Sequence, residues 1–510
     1  MLARSLAHTS PRASVIMPQT LRAPVTAAAR ARAPDATLRI SRVTPLRANA
    51  RAAKRRVLVI FAAASSAPIV AAASGDAKTN VLVVGGGGRE HSLCWRLRQS
   101  PTCGNLFCTP GNAGIASEDG VEVVRVNESD HAAVVKFCEE KGVGLVVVGP
   151  EAPLVDGLAD SLAAAKIPCF GPSKSAARLE GSKGFLKDLL KKYDIPTAKY
   201  ERFTDPEKAK AYIKSEGAPI VVKTDGLAAG KGVIVAMDLD TALAAVDDMM
   251  LNAAFGAAGD EIVVEEFLTG EEASFFAVVG GGVAVPLVGA QDHKRVGEGD
   301  TGLNTGGMGA YSPAPVLTPE MEAKVMKTIV QPTVDGMAAE GCPFTGVIFA
   351  GLMIEGDDVK LLEHNVRFGD PECQCLMVRM KSDLVELLSR AATGALDGSE
   401  KLEWSDDVAM NVVVAANGYP GSYTKGEVIE GLDDADALPG VKVFHAGTAS
   451  NADGEIVSAG GRVLGVVAVG DDIAEAAKRA YDGVDAIVWP GGFVRRDIGW
   501  RAIARDEKKK

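Results

Sequence analysis

Between residues 80 and 170, short apolar β-branched runs alternate with helical stretches, and most of the runs end in a loop marked by glycine or proline. Asn80-Val-Leu-Val-Val84 leads into Gly85–Gly88 and then Arg89-Glu-His-Ser-Leu-Cys-Trp-Arg-Leu97, the pattern of strand, glycine turn and helix. Leu106–Thr109, Val121–Val126, Leu145–Val148 and Pro168–Phe170 repeat the strand signal. Strands that alternate with helices predict an α/β fold with a doubly wound parallel sheet. Such sheets bind ligands at the loops beyond their strands' C-terminal ends. Three loop groups should meet there: Gly87, Arg89, Glu90 and His91; Gly111 and Asn112; Pro150 and Glu151. Gly85–Gly88 looks like a dinucleotide fingerprint, but no acid ends a second strand at the expected spacing. Glycine turns at helix N-termini also bind plain phosphates.

The pattern changes after residue 181. Helices around Ala176–Tyr193 lead to a small α/β unit over about 195–268. Its strands are Pro219–Lys223, Gly232–Ala236 and Glu261–Glu265. A larger mixed unit follows to about residue 393, then a polar stretch. Short strands (Met410–Ala415, Gly465–Val469) and an amphipathic helix (Ile473–Tyr481) come last. The expected domains are 79–180, 181–400 with 195–268 as a lid, and a small α/β domain over 405–505.

Charge divides the chain differently. Residues 1–75 carry twelve basic side chains and one acid, Asp35, and are rich in Ala, Ser and Pro. That is the composition of an organelle transit peptide, left out of the fold. Plastid is favoured over mitochondrion, with dual targeting left open. The rest of the chain holds 43 basic and 65 acidic residues, which argues against non-specific nucleic-acid binding. The apolar stretch Val57–Ala73 is short for a bilayer span and is interrupted by Ser65, Ser66 and Pro68, so no membrane anchor is expected. Eight cysteines show no CxxC pair or zinc spacing, consistent with a reducing compartment.

Three segments carry the chemistry. Gln291–Pro313 packs Lys294, Arg295, three acids and six glycines into a run expected to form neither helix nor strand. Glycine-dense backbone approaches a ligand closely and offers bare N–H groups. Asp292, Thr305, Gly306, Gly307 and Met308 are its further candidates. In Val222–Gly232, Lys223 ends an apolar strand and Lys231 sits in a loop with Gly226, Gly230 and Gly232. No GK[ST] opens a helix, so this is not a Walker A loop. In Glu363–Glu372, Glu363 and Asn365 are two apart on a strand and face one side. A carboxylate and an amide oxygen suit Mg²⁺ or Mn²⁺, and His364 points away. Arg367 follows, with Asp370 and Glu372 placed to orient it or to bind an amine. Arginine forks neutralise phosphates, so Lys294, Arg295 and Arg367 are the expected catalytic cations.

Together these segments resemble the glycinamide ribonucleotide synthetase family of ATP-grasp ligases, over nearly all of the chain from about Asn80. The resemblance implies a central ATP-grasp fold whose lid is the glycine hairpin. It implies that Lys183 and Lys223 contact ATP phosphates, with Gly230, Lys231 and Gly232 in the lid. Glu265, Glu266, Phe267 and Leu268 would lie along the adenine and Glu272 near the ribose. Glu363 and Asn365 would hold the metal, and the N-terminal loops would help hold phosphoribosylamine. The implied reaction joins glycine to 5-phosphoribosylamine through a glycyl phosphate, in a monomer or homodimer. Thr224 stands where the resemblance implies alanine, and a side chain directed off the strand there is expected to be tolerated.

Overall fold

The structure is a computed structural model describing residues 78–226, 232–252 and 259–508. Residues 1–75, expected to be a transit peptide, and Gly230 and Lys231 of the glycine loop lie outside the described residues.

Five strands lie in the order Val121–Val123, Cys103–Pro110, Thr79–Gly85, Val143–Val148 and Cys169–Phe170, all parallel. Val81–Val84 are fully buried, as the middle strand of a sheet covered on both faces must be. The chain leaves the middle strand toward one edge and later returns to its other side. Its C-terminal end and that of Val143–Val148 therefore flank a switch point, where loops diverge and leave a crevice. Helix Gly88–Arg98 starts there and packs on helix Glu372–Arg379. This is the parallel sheet expected from the alternating pattern.

The glycine-loop unit is a four-stranded antiparallel sheet, ordered Tyr200–Phe203, Ile262–Glu266, Ile220–Thr224 and Val233–Ala236. Helices Pro206–Glu216 and Leu239–Met250 pack on each other, the second also covering the sheet. Each starts on an aspartate, Asp205 or Asp238, whose side chain accepts from the first-turn backbone. Lys223 pairs with Val233 across the hairpin that carries the loop.

A second antiparallel sheet, ordered Val283–Pro286, Glu271–Gly280, Gly346–Glu355 and Asp358–Asn365, forms the floor of the site. Phe275–Val279 are fully buried, and Phe276 stacks on Phe349 with ring centroids 4.7 Å apart. Each of these phenylalanine and valine side chains contributes about 1.5–3 kcal/mol by leaving water.

The C-terminal sheet corrects one expectation. Its order is Gln291–Asp292, Gly309–Ser312, Val408–Ala416, Arg462–Gly470 and Val441–His445, with Gly492–Phe493 also on Val408–Ala416. The run Gln291–Pro313 is therefore not free of strand. Both ends join this sheet, and its middle folds as a hairpin, Arg295–Gly297 against Thr301–Asn304. Partners distant in sequence override the irregular local pattern. Gly309 faces Val412, and a Cβ there would come within 2.6 Å of the Asn411 carbonyl. Helix Ile473–Ala486 covers the sheet. Among the described residues no helix is long and apolar enough to cross a membrane, and all eight cysteines are free.

Candidate active site

The end of strand Asp358–Asn365 is the centre of the site. His364 turns into the core, where Nε2 meets Thr333 Oγ1 at 3.1 Å. Glu363 and Asn365 take the opposite face, as the two-residue spacing requires. Burial pushes the Glu363 carboxyl up. The charges of Lys294, Lys183, Lys223 and Arg367 outweigh it and hold the group at about 2. Four cations from four separate segments thus converge on one carboxylate.

Each cation is placed by its own element. Lys183 stands in the first turn of helix Lys183–Lys192. Ser182 caps that helix and donates to Asp225, which also accepts from Gly184 N at 2.9 Å. Lys223, buried on its strand, reaches Glu265 Oε2 at 3.0 Å and the Leu362 carbonyl at 3.3 Å. Lys187, which the sequence reading missed, grips the same Glu265 oxygen at 3.1 Å. Burial brings the Lys187 amine down to about 8 against the pull of Glu265. Glu265 Oε1 is buried with no donor among the described residues, an acceptor open to a ligand N–H. Glu266 receives Lys360 at 2.7 Å, and Phe267 and Leu268 continue half-buried from the strand end. Gly232 accepts from Thr224 N at 2.9 Å. Thr224 is fully buried, and its hydroxyl has no partner among the described residues.

Arg367 binds Glu180 Oε1 and Asn365 Oδ1, both at 3.0 Å, and lies 3.5 Å from Glu151. Glu180 also accepts from Val366 N at 2.8 Å. It too was missed, although it stands three residues before Lys183. Lys294 pairs with Glu272 at 3.1 Å. Burial pushes the carboxyls of Asp292 and Glu372 up, with Lys294 opposing in both cases. Glu372 is also held by Ser274 at 3.0 Å. Lys183, Lys223, Lys294 and Arg367 thus surround Glu363 with positive charge, and an acid pair lies beside Lys294.

The loops at the mouth of the parallel sheet reach the Arg367–Asp370 turn through Arg89 and Glu151. Arg89 donates to Glu90 at 2.5 Å and to the Phe368 carbonyl at 3.1 Å. Glu90 fills the switch point, since a Cβ on Gly85 or Gly149 would run into its carboxyl group. Gly87 lies beside Glu90 and Asp370, and Pro150 caps the helix that begins at Glu151. Asp370 receives Arg462 at 3.2 Å. Arg462 also donates to the Gly306 and Asp370 carbonyls at 2.6 Å and to Gly307 at 3.3 Å. It ties the glycine run to the Arg367–Asp370 turn across the two sheets. Its only sequence signal is a cation directly after Gly460-Gly461 at a strand start. Gly307, at φ +117, admits no side chain, for a Cβ would lie 2.4 Å from Pro371. Thr305 holds the Lys294 carbonyl through N and Oγ1 at 2.7 and 2.9 Å.

Other candidates turn elsewhere. Met308 is fully buried in the C-terminal core. His91 accepts from His445 N through Nδ1, so its proton sits on Nε2, facing Glu118 at 3.2 Å. Asn112 is spent on Gly86, His445 and the helix start at Ile115, while Gly111 backs onto Gly86. Arg295 donates to the Gly302 carbonyl at 2.8 Å within its hairpin. His293, beside Lys294, takes Gly499 N on Nε2 at 2.8 Å. Among the described residues no three His, Cys, Asp or Glu side chains form a metal cluster.

Comparison with known proteins extends this geometry. The N, ATP-grasp and C domains of phosphoribosylglycinamide synthetase match residues 79–180, 181–373 and 409–501. The chloroplastic phosphoribosylamine–glycine ligase of Arabidopsis thaliana is 60% identical over 423 residues, 82% of this chain and 79% of its own. The phosphoribosylamine–glycine ligase of Brucella melitensis is 57% identical over 82% of this chain and 97% of its own. The crystal structure of the Thermotoga maritima phosphoribosylamine–glycine ligase superposes with a TM-score of 0.71 at 32% identity, over 82% of this chain and all of that one. A biotin carboxylase domain from Hydrogenobacter thermophilus, solved with MgADP and bicarbonate, shares the fold alone: TM-score 0.63, 16% identity, 82% of this chain and 91% of its own.

Proposed function

The chain belongs to the phosphoribosylglycinamide synthetase family, and from that premise we propose that it joins glycine to 5-phosphoribosylamine at the expense of ATP, forming glycinamide ribonucleotide, ADP and phosphate. The observation that carries the reading is the Glu363 carboxylate ringed by Lys294, Lys183, Lys223 and Arg367. That much positive charge around one ionised acid matches a polyphosphate with its cation.

Lys183 and Lys223 take the ATP phosphates, and Gly232 lies where the described part of the glycine loop resumes. The adenine lies along Glu265–Leu268, where Glu265 Oε1 is open to an exocyclic amine, and the ribose lies near Glu272. Glu363 and Asn365 would hold Mg²⁺ or Mn²⁺. Their oxygens suit a hard cation and Glu363 stays ionised to bind it; phosphate and water would supply the remaining ligands. A bound metal would supply charge neutralisation on the phosphates.

A glycine carboxylate oxygen attacks the γ-phosphorus, the bond to the β-bridging oxygen breaks, and ADP leaves. Lys294 and Arg367 face the charge that spreads over the moving phosphoryl group, and Arg295 would join them on leaving the Gly302 carbonyl. The product is glycyl phosphate. The phosphoribosylamine nitrogen then attacks its carbonyl carbon, the C–O bond to phosphate breaks, and the nitrogen loses a proton. Asp292 and Glu372, raised by burial beside Lys294, are placed to hold an ammonium group or accept that proton. Arg89, Glu151 and Asp370 lead from the sheet mouth, where the sugar phosphate would enter. The lid keeps water from the acyl phosphate. No nucleophilic side chain is required, and the cysteines take no part.

Mg-ATP turnover by the chain without its first 75 residues tests this. ADP release that needs both glycine and phosphoribosylamine, with one amide per ATP, is the expected result. Release supported equally by another carboxylate would move the substrate. The N-terminal segment is read as directing the enzyme to the plastid stroma, like the chloroplastic relative. Residues 1–75 fused to a fluorescent protein should report plastids; mitochondrial signal would replace that reading.

A further inference from the structure

The Lys294–Arg295 arm has little of its own to hold it in place. Among the described residues its hairpin, Arg295–Gly297 against Thr301–Asn304, pairs with no other strand, and Thr301–Leu303 are exposed. A lone two-stranded hairpin is marginal in water. A segment about two hundred residues later supplies the missing contacts.

Arg495 is 1% exposed. It forms a fork on Asp497, both bonds 2.8 Å, and its remaining nitrogen donates to the Arg295 carbonyl at 2.9 Å and to Asp300 Oδ1 at 3.0 Å. Arg501 reaches Asp300 Oδ2 at 2.7 Å, and Trp500 Nε1 approaches the same oxygen at 3.4 Å. Asp300 sits at φ +57, backbone that a non-glycine residue keeps only when its surroundings hold it there. The backbone joins in: Gly299 N donates to Asp497 at 2.8 Å, Arg496 N to Glu298 at 3.1 Å, and Gly499 N to His293 at 2.8 Å. Anchors thus lie on both sides of Lys294 and Arg295, at His293 before them and at Glu298–Asp300 after.

We infer that Arg495–Arg501 is a positioning latch for the catalytic arm, with Arg495 and Asp300 its central pair acting on the reaction through Arg295 and Lys294. Neither residue touches the reacting atoms. A fixed arm matters because a displacement of about 1 Å can cost on the order of 10²-fold in rate. Satisfying Arg495 with two carboxylates and a carbonyl makes the arrangement all-or-none: with one partner lost, the buried guanidinium recruits water and releases the arm.

The inference rests on the ligase reading, so its test has one arm that needs no turnover. Hydrogen exchange of the full chain is compared for wild type, Asp300→Asn and the more accessible Arg501→Ala. Faster exchange confined to 293–304 is expected; unchanged exchange there, or loosening of the entire C-terminal sheet, overturns the latch. The second arm is a kinetic cycle. Asp300→Asn should lower kcat roughly 10- to 100-fold with KM for ATP changed less than about twofold. Arg295→Ala added to it should cost far less than Arg295→Ala alone. Fully multiplicative losses overturn action through Arg295. Absence of any ligase turnover in wild type would sink the functional reading and leave exchange to decide the latch.

Discussion

Arg367 and Glu180 form an ion pair at 3.0 Å at the end of the strand that presents Glu363 and Asn365. The guanidinium also binds the Asn365 amide oxygen, so one side chain joins a buried acid to a candidate metal ligand. Glu180→Gln keeps the shape of that acid and removes its charge. Arg367 should then swing toward Asn365 and Glu151, and turnover should fall while the fold survives. A kcat within about twofold of wild type would remove Glu180 from the supporting structure. Arg367→Ala should cost on the order of 10²–10³ in kcat, the usual scale for one transition-state donor.

Glu363→Gln tests the metal site. Outer-shell partners of a metal already change affinity by roughly 10–100-fold, so loss of a direct carboxylate ligand should do at least as much. The metal concentration for half-maximal rate should rise accordingly. Unchanged metal dependence would place the ion elsewhere.

Arg295→Ala should lower turnover by about 10²–10³ if its guanidinium turns onto the phosphoryl group while the latched backbone stays in place. Its bond to the Gly302 carbonyl must break for that to happen. Near-wild-type kcat would leave Lys294 and Arg367 as the working cations.

Arg462 binds three carbonyls and Asp370 across two sheets. Hydrogen bonds from charged groups contribute about 1.5–3 kcal/mol each. Arg462→Ala should therefore reduce kcat/KM for phosphoribosylamine by roughly tenfold or more, with ATP affinity kept. Equal losses for both substrates would mean a general loss of structure.

Acid should weaken the joint between the parallel sheet and the C-terminal strand Val441–His445. Burial lowers the pKa of His91, and burial followed by the charge of His91 brings His445 down to about 3. Both histidines bind fewer protons folded than unfolded. Their contribution is complete above the unfolded pKa near 6.5 and is lost as pH falls below it, at up to roughly 1.4 kcal/mol per pH unit for each. Melting temperature measured from pH 7 to pH 4 should fall, and less steeply in His445→Asn. Identical slopes would assign the acid sensitivity to other groups.

Local signals made much of this molecule readable before its structure. Val81–Val84 is apolar because both faces of a central parallel strand are covered, and Glu363 and Asn365 declared a shared face by their spacing. Lys223 and its glycine hairpin were visible for the same local reason. Glu180, Lys187 and Arg462 were not, because their roles come from partners more than 75 residues away. Gln291–Asp292 and Gly309–Ser312 read as irregular because Val408–Ala416, rather than their own composition, makes them strands. The latch is the extreme case, since nothing in Arg495-Arg-Asp-Ile-Gly-Trp-Arg501 points to Asp300.

The central claim is that ATP phosphorylates the glycine carboxylate before the amide forms. Glycine labelled with oxygen-18 in its carboxylate, supplied with Mg-ATP and phosphoribosylamine, tests this directly by mass analysis of the phosphate released. The account predicts one labelled oxygen in each phosphate and one retained in the amide carbonyl. Phosphate free of label, with amide formed, would contradict it.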